Sequence, residues 1–153
     1  MSIKHQVAIN ATETVKEKIS SEREAQSQGR VINGYNTDNG IFNSSEFMEE
    51  LLKKQKNIRF IRAGASHQNG AAERAIKTVV TMARTMLMHA ALRCPDDTLS
   101  TDLWPMAMDY SVWVYNRTSD MHSGLSAIEI WSRSRFELVS ETIRNCHVWG
   151  CPT

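Results

Sequence analysis

The sequence predicts an α/β fold, and two observations support this prediction. Segments with strand patterning alternate with helical segments in the first half of the chain, and further helical segments follow in the second half. The composition is that of a globular domain, with 153 residues of which 41% are hydrophobic and 23% are charged. The longest apolar runs are too short to span a membrane. The three cysteines form no CxxC pair, which argues against a disulfide framework or a four-cysteine zinc site and favours a reducing compartment.

The first half of the chain contains three predicted strands and two predicted helices. Asn10 followed by Glu13 is a capping-box pattern that opens the first helix, and Ser44 or Ser45 can cap the second. In chain order the elements are a strand at 3–9, a helix at 11–27, a strand at 31–36, a helix at 45–56 and a strand at 57–61. The predicted apolar faces are Val15, Ile19 and Ala25 in the first helix and Phe47, Met48, Leu51 and Leu52 in the second.

The second half of the chain is predicted to be helical. Two glycines and several small polar residues predict a mobile loop at 62–70. A long helix then covers 71–92, another covers about 101–117 with Pro105 in its first turn, and Ser126 can cap a short third helix. The predicted buried face of the long helix consists of Ile76, Val79, Ala83, Met86, Leu87 and Ala90.

The charges are distributed unevenly along the chain. Residues 51–95 carry nine Lys and Arg against a single Glu, whereas residues 1–50 and 96–153 are both net acidic. A basic middle between acidic flanks is typical of one surface that faces a polyanion. On charge alone, a set of solvated helix faces is the slightly favoured explanation.

Two carboxylates stand where a metal site is expected in an α/β protein. Asp38 follows a predicted strand, at the edge where open sheets bind ligands, and Glu73 lies in the first turn of the long helix. Two or three such carboxylates are what Mg²⁺ needs, and two bound metals can clamp both oxygens of a phosphoryl transfer. The alternative is that Asp38 forms an Asx turn and that Glu73 only favours the positive helix end.

Cations accompany Glu73 along the long helix. At about 100° per residue, Lys77 lies about 40° and Arg84 about 20° from Glu73 around the helix axis. A cation one turn from a metal ligand can contact a phosphate near that metal. The alternative is a helical Glu–Lys ion pair worth about 0.3–0.5 kcal/mol.

The spacing of these motifs matches a known family. The segments 37–40 (TDNG) and 67–74 (HQNGAAER) resemble the second half of a retroelement integrase core, most closely that of copia-type long-terminal-repeat retrotransposons. The resemblance continues over nearly the whole chain. Its later matches are Trp104-Pro105 and the segments 115–118 (YNRT), 127–131 (AIEIW) and 148–152 (VWGCP).

The resemblance implies a ribonuclease-H-like mixed sheet flanked by helices. Such cores use an Asp-Asp-Glu triad to bind two Mg²⁺ or Mn²⁺ ions, and they join the ends of the element's DNA to target DNA. Asp38 would be the second acid and Glu73 the third, with 34 residues between them. Lys77 would contact the DNA end. The nucleic-acid-binding residues that we expect are Arg62, His67, Gln68, Asn69, Arg74, Lys77 and Arg84.

The chain departs from the family pattern at the first acid. Residues 1–37 contain no Asp, and Met1 matches a position near the third strand of the fold. The resemblance therefore implies a sheet that is incomplete at the N-terminus, with a partial catalytic core at 1–95 and a helical extension of the same domain at 96–153. We expect binding of Mg²⁺ or Mn²⁺ to be weak or absent and the chain alone to be inactive in strand transfer.

Partners and alternatives follow from the same considerations. By resemblance the partner is DNA, both element ends and target, and the location is the nucleus or a cytoplasmic particle. An exposed strand edge favours a homo-oligomer. The alternatives are a nucleic-acid-binding module without catalysis and a helical protein-interaction module.

Overall fold

A computed structural model describes residues 4, 10–37, 40–60, 70–93, 101–133 and 149. Its described part is mostly helical with one two-stranded parallel sheet, which confirms the α/β class. The chain divides into two compact units, Lys4–Glu73 and Arg74–Thr153, with Met1–Ile3 assigned to the second. The elements are α1 (Ala11–Ser27), β1 (Gly34–Thr37), α2 (Ser45–Lys53), β2 (Asn57–Phe60), α3 (Gly70–Arg93), α4 (Trp104–Arg117) and α5 (Ala127–Ser132). Among the described residues, no helix is long and apolar enough to cross a membrane.

Helix α1 begins where the sequence predicts. The Asn10 side chain accepts a hydrogen bond from the Glu13 backbone N–H at 2.8 Å, which satisfies one of the free donors of the first turn. Of its predicted apolar face, Ala25 is buried, whereas Val15 and Ile19 are only half-buried and Thr14 and Lys18 are buried in their place. Lys18 can be buried because its ammonium group forms an ion pair with the Glu22 carboxylate at 3.0 Å.

The strands β1 and β2 pair in parallel, from Gly34 opposite Asn57 to Thr37 opposite Phe60. The prediction placed the first of these strands at 31–36, three residues too early. The partner strand cannot begin earlier than Asn57, because α2 ends at Lys53 and Gln55 then takes a φ of 50° in the left-handed region. The predicted strand at 3–9 lies outside the described residues except for Lys4.

Gly34 is required by the close approach of the two strands. A Cβ at this position would lie 2.9 Å from the Asn57 carbonyl oxygen, closer than real contacts allow. We expect Gly34→Val to lower the free energy of unfolding by about 1–3 kcal/mol, because the rigid backbone of β2 must shift. Urea denaturation measures this, with Asn36→Ala, an exposed position on the same strand, as the control. Equal stabilities of the two variants would contradict the close approach.

Helix α2 begins at Ser45 and packs against α1, and its Phe47 ring makes an edge contact with the Tyr35 ring of β1. Its cap is Ser44, whose hydroxyl accepts from the Phe47 backbone N–H. Phe47 and Leu51 are buried, whereas Leu52, which was predicted to share their face, is 73% exposed. Leu52 follows Leu51 by about 100° around the helix axis, which places it outside the buried face formed by Phe47 and Leu51. The helix ends at Lys53 rather than at the predicted residue 56.

The C-terminal unit has its own core between α3 and α4. Val79 and Ala83 of α3 and Ala107 of α4 are completely buried in one cluster of apolar side chains. Ile76 was predicted to be buried but is 52% exposed, because the described core of this unit begins at Val79. The core is completed by Met108 and Val112, with Val80, Leu87, Trp104, Tyr115 and Trp149 packed against it.

Helix α5 confirms the prediction of a short helix after Ser126. The Ser126 hydroxyl accepts from the Glu129 backbone N–H, and the Glu129 carboxylate accepts from the Ser126 backbone N–H at 2.7 Å. This reciprocal arrangement is a complete capping box. The helix ends at Ser132, before Arg133 takes a left-handed conformation.

Candidate functional site

Glu73 lies in the first turn of α3, and its side chain is exposed to solvent. The helix begins at Gly70, so the carboxylate stands near the positive end of the helix dipole. Within the described ranges, no cation forms an ion pair with this carboxylate. This position agrees with the prediction for the third acid of the triad, whereas its role stays a prediction.

Asp38 directly follows β1 in the sequence but lies outside the described residues. Four predicted nucleic-acid-binding residues also lie outside the described residues, namely Arg62, His67, Gln68 and Asn69. The structure therefore gives the strand that leads to Asp38 and the helix that carries Glu73. It leaves the pairing of the two carboxylates as a prediction.

The three basic residues predicted on α3 are all exposed. Because α3 is helical from Gly70 to Arg93, Lys77 and Arg84 share the side of the helix that Glu73 occupies, and Arg74 adjoins it. Within the described ranges, none of the three cations forms an ion pair with a carboxylate. The Glu73–Lys77 ion pair of the alternative interpretation is not formed. We call Arg74, Lys77 and Arg84 the α3 basic stripe.

Three threonines lie beside the α3 basic stripe, and the sequence analysis did not single them out. Thr78, Thr81 and Thr85 are exposed, and each hydroxyl donates to the carbonyl four residues earlier at 2.8–2.9 Å. These short side chains are therefore held against their own helix. They form a flat polar surface beside the long cationic side chains. Their spacing of three and four residues on the polar side of the helix was the signal that could have revealed them.

The donor chemistry of the predicted metal site is that of a hard cation. Carboxylate oxygens are the ligands that Mg²⁺ prefers, so Asp38 and Glu73 fit such an ion by type. Among the described residues there is no group of three or more His, Cys, Asp or Glu that could hold a metal. Of the predicted pair, Glu73 is described and Asp38 lies outside the described residues.

Comparison with known proteins identifies the fold. No protein-family model matches the sequence, and no curated protein matches it. Among solved structures, the chain is similar to the catalytic core domain of HTLV-2 integrase in complex with magnesium. The dimeric form gives a TM-score of 0.57 and 23% identity over 85% of this chain and 74% of that chain. The trimeric form gives 0.55 and 22% over 79% and 69%.

The chain has the fold of an integrase catalytic core. This fold fits the predicted ribonuclease-H-like class, and the described residues include a parallel strand pair. Strand β1 ends at Thr37, the first residue of the TDNG segment at 37–40, and α3 begins at Gly70, the last residue of the HQNG segment at 67–70. The division into 1–95 and 96–153 stays a prediction.

Proposed function

We propose that the chain is part of the integrase catalytic core of a copia-type long-terminal-repeat retrotransposon, related to DNA strand transfer. The observation that carries the proposal is the integrase-core fold over most of the chain, with an exposed Glu73 in the first turn of α3. The sequence motifs at 37–40 and 67–74 support the retrotransposon assignment. DNA is the proposed partner, as element ends and as target.

The α3 basic stripe is the proposed DNA-binding surface. Arg74, Lys77 and Arg84 are exposed, and no described carboxylate competes for them. Lys and Arg that neutralise phosphates release counterions, and this release supplies most of non-specific DNA affinity. The flat surface of Thr78, Thr81 and Thr85 lets a phosphate backbone approach the helix. Arg62, His67, Gln68 and Asn69 are proposed to contribute from the preceding segment.

Asp38 and Glu73 are the proposed ligands of Mg²⁺ or Mn²⁺. The HTLV-2 integrase core was solved in complex with magnesium. A divalent ion at such a site supplies charge stabilisation for the oxygens of the reacting phosphate. Residues 1–37 contain no Asp that could act as the first acid. We therefore propose weak metal binding and no strand transfer by the 153-residue chain alone.

Assembly and location are proposed from the same similarity. The HTLV-2 core occurs in dimeric and trimeric forms, and we propose that this chain also associates with copies of itself. We propose that it acts in the nucleus or in a cytoplasmic particle, where a DNA copy of an element would be met.

A second candidate function is nucleic-acid binding without catalysis. The α3 basic stripe favours it, because three exposed cations on one helix can bind a phosphate backbone without any bound metal. A helical protein-interaction module is the remaining candidate, and its surface would be apolar.

The experiment that tests DNA binding is a salt titration of the affinity for a short duplex, followed by fluorescence anisotropy. We expect the logarithm of the affinity to fall linearly with the logarithm of the salt concentration. Three phosphate contacts predict a slope of about −3. Affinity that does not change with salt would overturn the DNA-binding proposal and favour apolar association.

A further inference from the structure

Glu22 of α1 is the centre of a cluster of charged and polar side chains in the N-terminal unit. Its carboxylate accepts from the Tyr35 hydroxyl at 2.6 Å. It also forms ion pairs with Lys18 at 3.0 Å, Lys54 at 3.1 Å and Lys56 at 2.9 Å. One hydroxyl and three ammonium groups thus converge on one side chain. We call these five residues the Glu22 cluster.

The centre of the Glu22 cluster is shielded from water, whereas the Lys54 side chain at its edge is 36% exposed. The side chains of Glu22 and Lys18 are only 10% and 2% exposed. The Lys18 Nζ also lies 5.8 Å and 5.9 Å from the ring centres of Tyr35 and Phe47, within the range of cation–π attraction. Burying such charges is costly unless each has an oppositely charged partner. A cluster of this kind persists only because Glu22 is present.

The Glu22 carboxylate is ionised throughout the neutral pH range. Burial alone would raise its pKa, but the contacts with Tyr35, Lys56, Lys18 and Lys54 outweigh burial and lower the pKa of Glu22 to about 2. The same arrangement raises the pKa of the Tyr35 hydroxyl, through burial and through its bond to Glu22. The Tyr35 hydroxyl therefore stays a proton donor.

The Glu22 cluster joins both strands to the helical layer at one point. Tyr35 is the second residue of β1, Lys56 immediately precedes β2, and Lys54 caps the end of α2. Strands of four residues form a short ladder, which by itself is a weak restraint. One carboxylate on α1 thus restrains the ends of three other elements.

We infer that Glu22 is a positioning residue, which acts through Tyr35 to hold β1 in the place from which Asp38 follows. The basis is the 2.6 Å bond to Tyr35, three positions before Asp38, together with the simultaneous anchoring of Lys56. The inference rests on the proposed function, since it assigns Asp38 a role as a metal ligand. The Glu22 cluster itself contains no ligand of that site.

The test compares Glu22→Gln and Tyr35→Phe with the control Glu13→Gln. Glu13 lies on the same helix, and its ion pair with Lys16 at 2.8 Å involves neither strand. Tyr35→Phe keeps the ring and removes only the hydroxyl. We expect this milder variant to fold even if Glu22→Gln does not. Mn²⁺ binding is measured by water-proton relaxation at a temperature where each variant is folded. We expect about tenfold weaker Mn²⁺ binding for Glu22→Gln and Tyr35→Phe and none of this loss for Glu13→Gln.

Amide hydrogen exchange separates failure of the inference from failure of the proposed function. We expect exchange at residues 34–37 to become faster in both cluster variants relative to exchange in α4, without any metal present. If wild type and variants bind Mn²⁺ equally, the positioning role is overturned while the metal site stands. If wild type binds no Mn²⁺, the proposed metal site fails. If exchange in the cluster variants rises equally in residues 34–37 and in α4, Glu22 does not specifically hold β1, and the inference is overturned as well.

Discussion

Replacing Glu22 with Gln is expected to lower the free energy of unfolding by about 2–4 kcal/mol. The substitution leaves three ammonium groups, those of Lys18, Lys54 and Lys56, around a neutral amide. Lys18 cannot reach water easily, because its side chain is 2% exposed. Urea denaturation at neutral pH measures the loss. Glu13→Gln should change stability by less than about 0.5 kcal/mol, because the Glu13–Lys16 pair is solvated.

The same carboxylate predicts how stability depends on pH. The folded-state pKa of Glu22 is about 2, below the ordinary value of 4.5, so its contribution is fully present above pH 4.5. It is lost as the pH falls from 4.5 toward 2, where the folded state also takes up the proton. The shift corresponds to about 3 kcal/mol. We expect wild type to lose this much more stability than Glu22→Gln across that range, and parallel acid titrations of the two would contradict the cluster.

The double variant Lys77→Glu with Arg84→Glu is expected to bind duplex DNA about a hundredfold more weakly at 0.1 M salt. Each lost phosphate contact removes about one counterion release, which is worth about tenfold at that concentration. The salt slope should also become shallower by about 2. Anisotropy with a fluorescent duplex measures both quantities.

The control for this comparison is Lys16→Glu with Arg23→Glu on α1. Both positions are exposed, and the change in net charge is identical. If the two double variants lose affinity equally, the loss reflects net charge and the α3 basic stripe is not the binding surface. We expect both variants to remain helical, which circular dichroism checks.

Local sequence patterns predicted the helix starts well. Asn10, Ser44 and Ser126 each cap the helix expected of them, because a cap depends on residues within one turn. Strand bounds were less predictable. The start of β1 depends on where β2 can begin, and this depends on Gln55, more than twenty positions away in the sequence.

Burial was the hardest property to predict from helical periodicity. Ile76 and Leu52 fit an apolar face but are exposed, since the neighbouring element determines how wide the covered face is. The burial of Lys18 was not predicted because it depends on charged partners rather than on an apolar pattern. A lysine is almost never buried without partners, and among the cations around Glu22 only Lys18 lies within one turn of it.

The candidate site was predictable where it lies on one helix. Exposure of Glu73, Lys77 and Arg84 on one side of α3 follows from a regular period of 3.6 residues. The pairing of Asp38 with Glu73 is a long-range relation between a strand end and a helix start. No local pattern determines such a relation: the strand-end and helix-start positions allow it, and the family resemblance implies it.

The central claim is that Asp38 and Glu73 share one divalent cation, and paramagnetic relaxation tests it most directly. Mn²⁺ is titrated into the isotope-labelled chain, and broadening of amide signals locates the ion even when binding is weak. The account predicts broadening around both residue 38 and residue 73, and loss of both effects in Asp38→Asn and in Glu73→Gln. Broadening that is absent, that lies elsewhere, or that survives both substitutions would contradict the account.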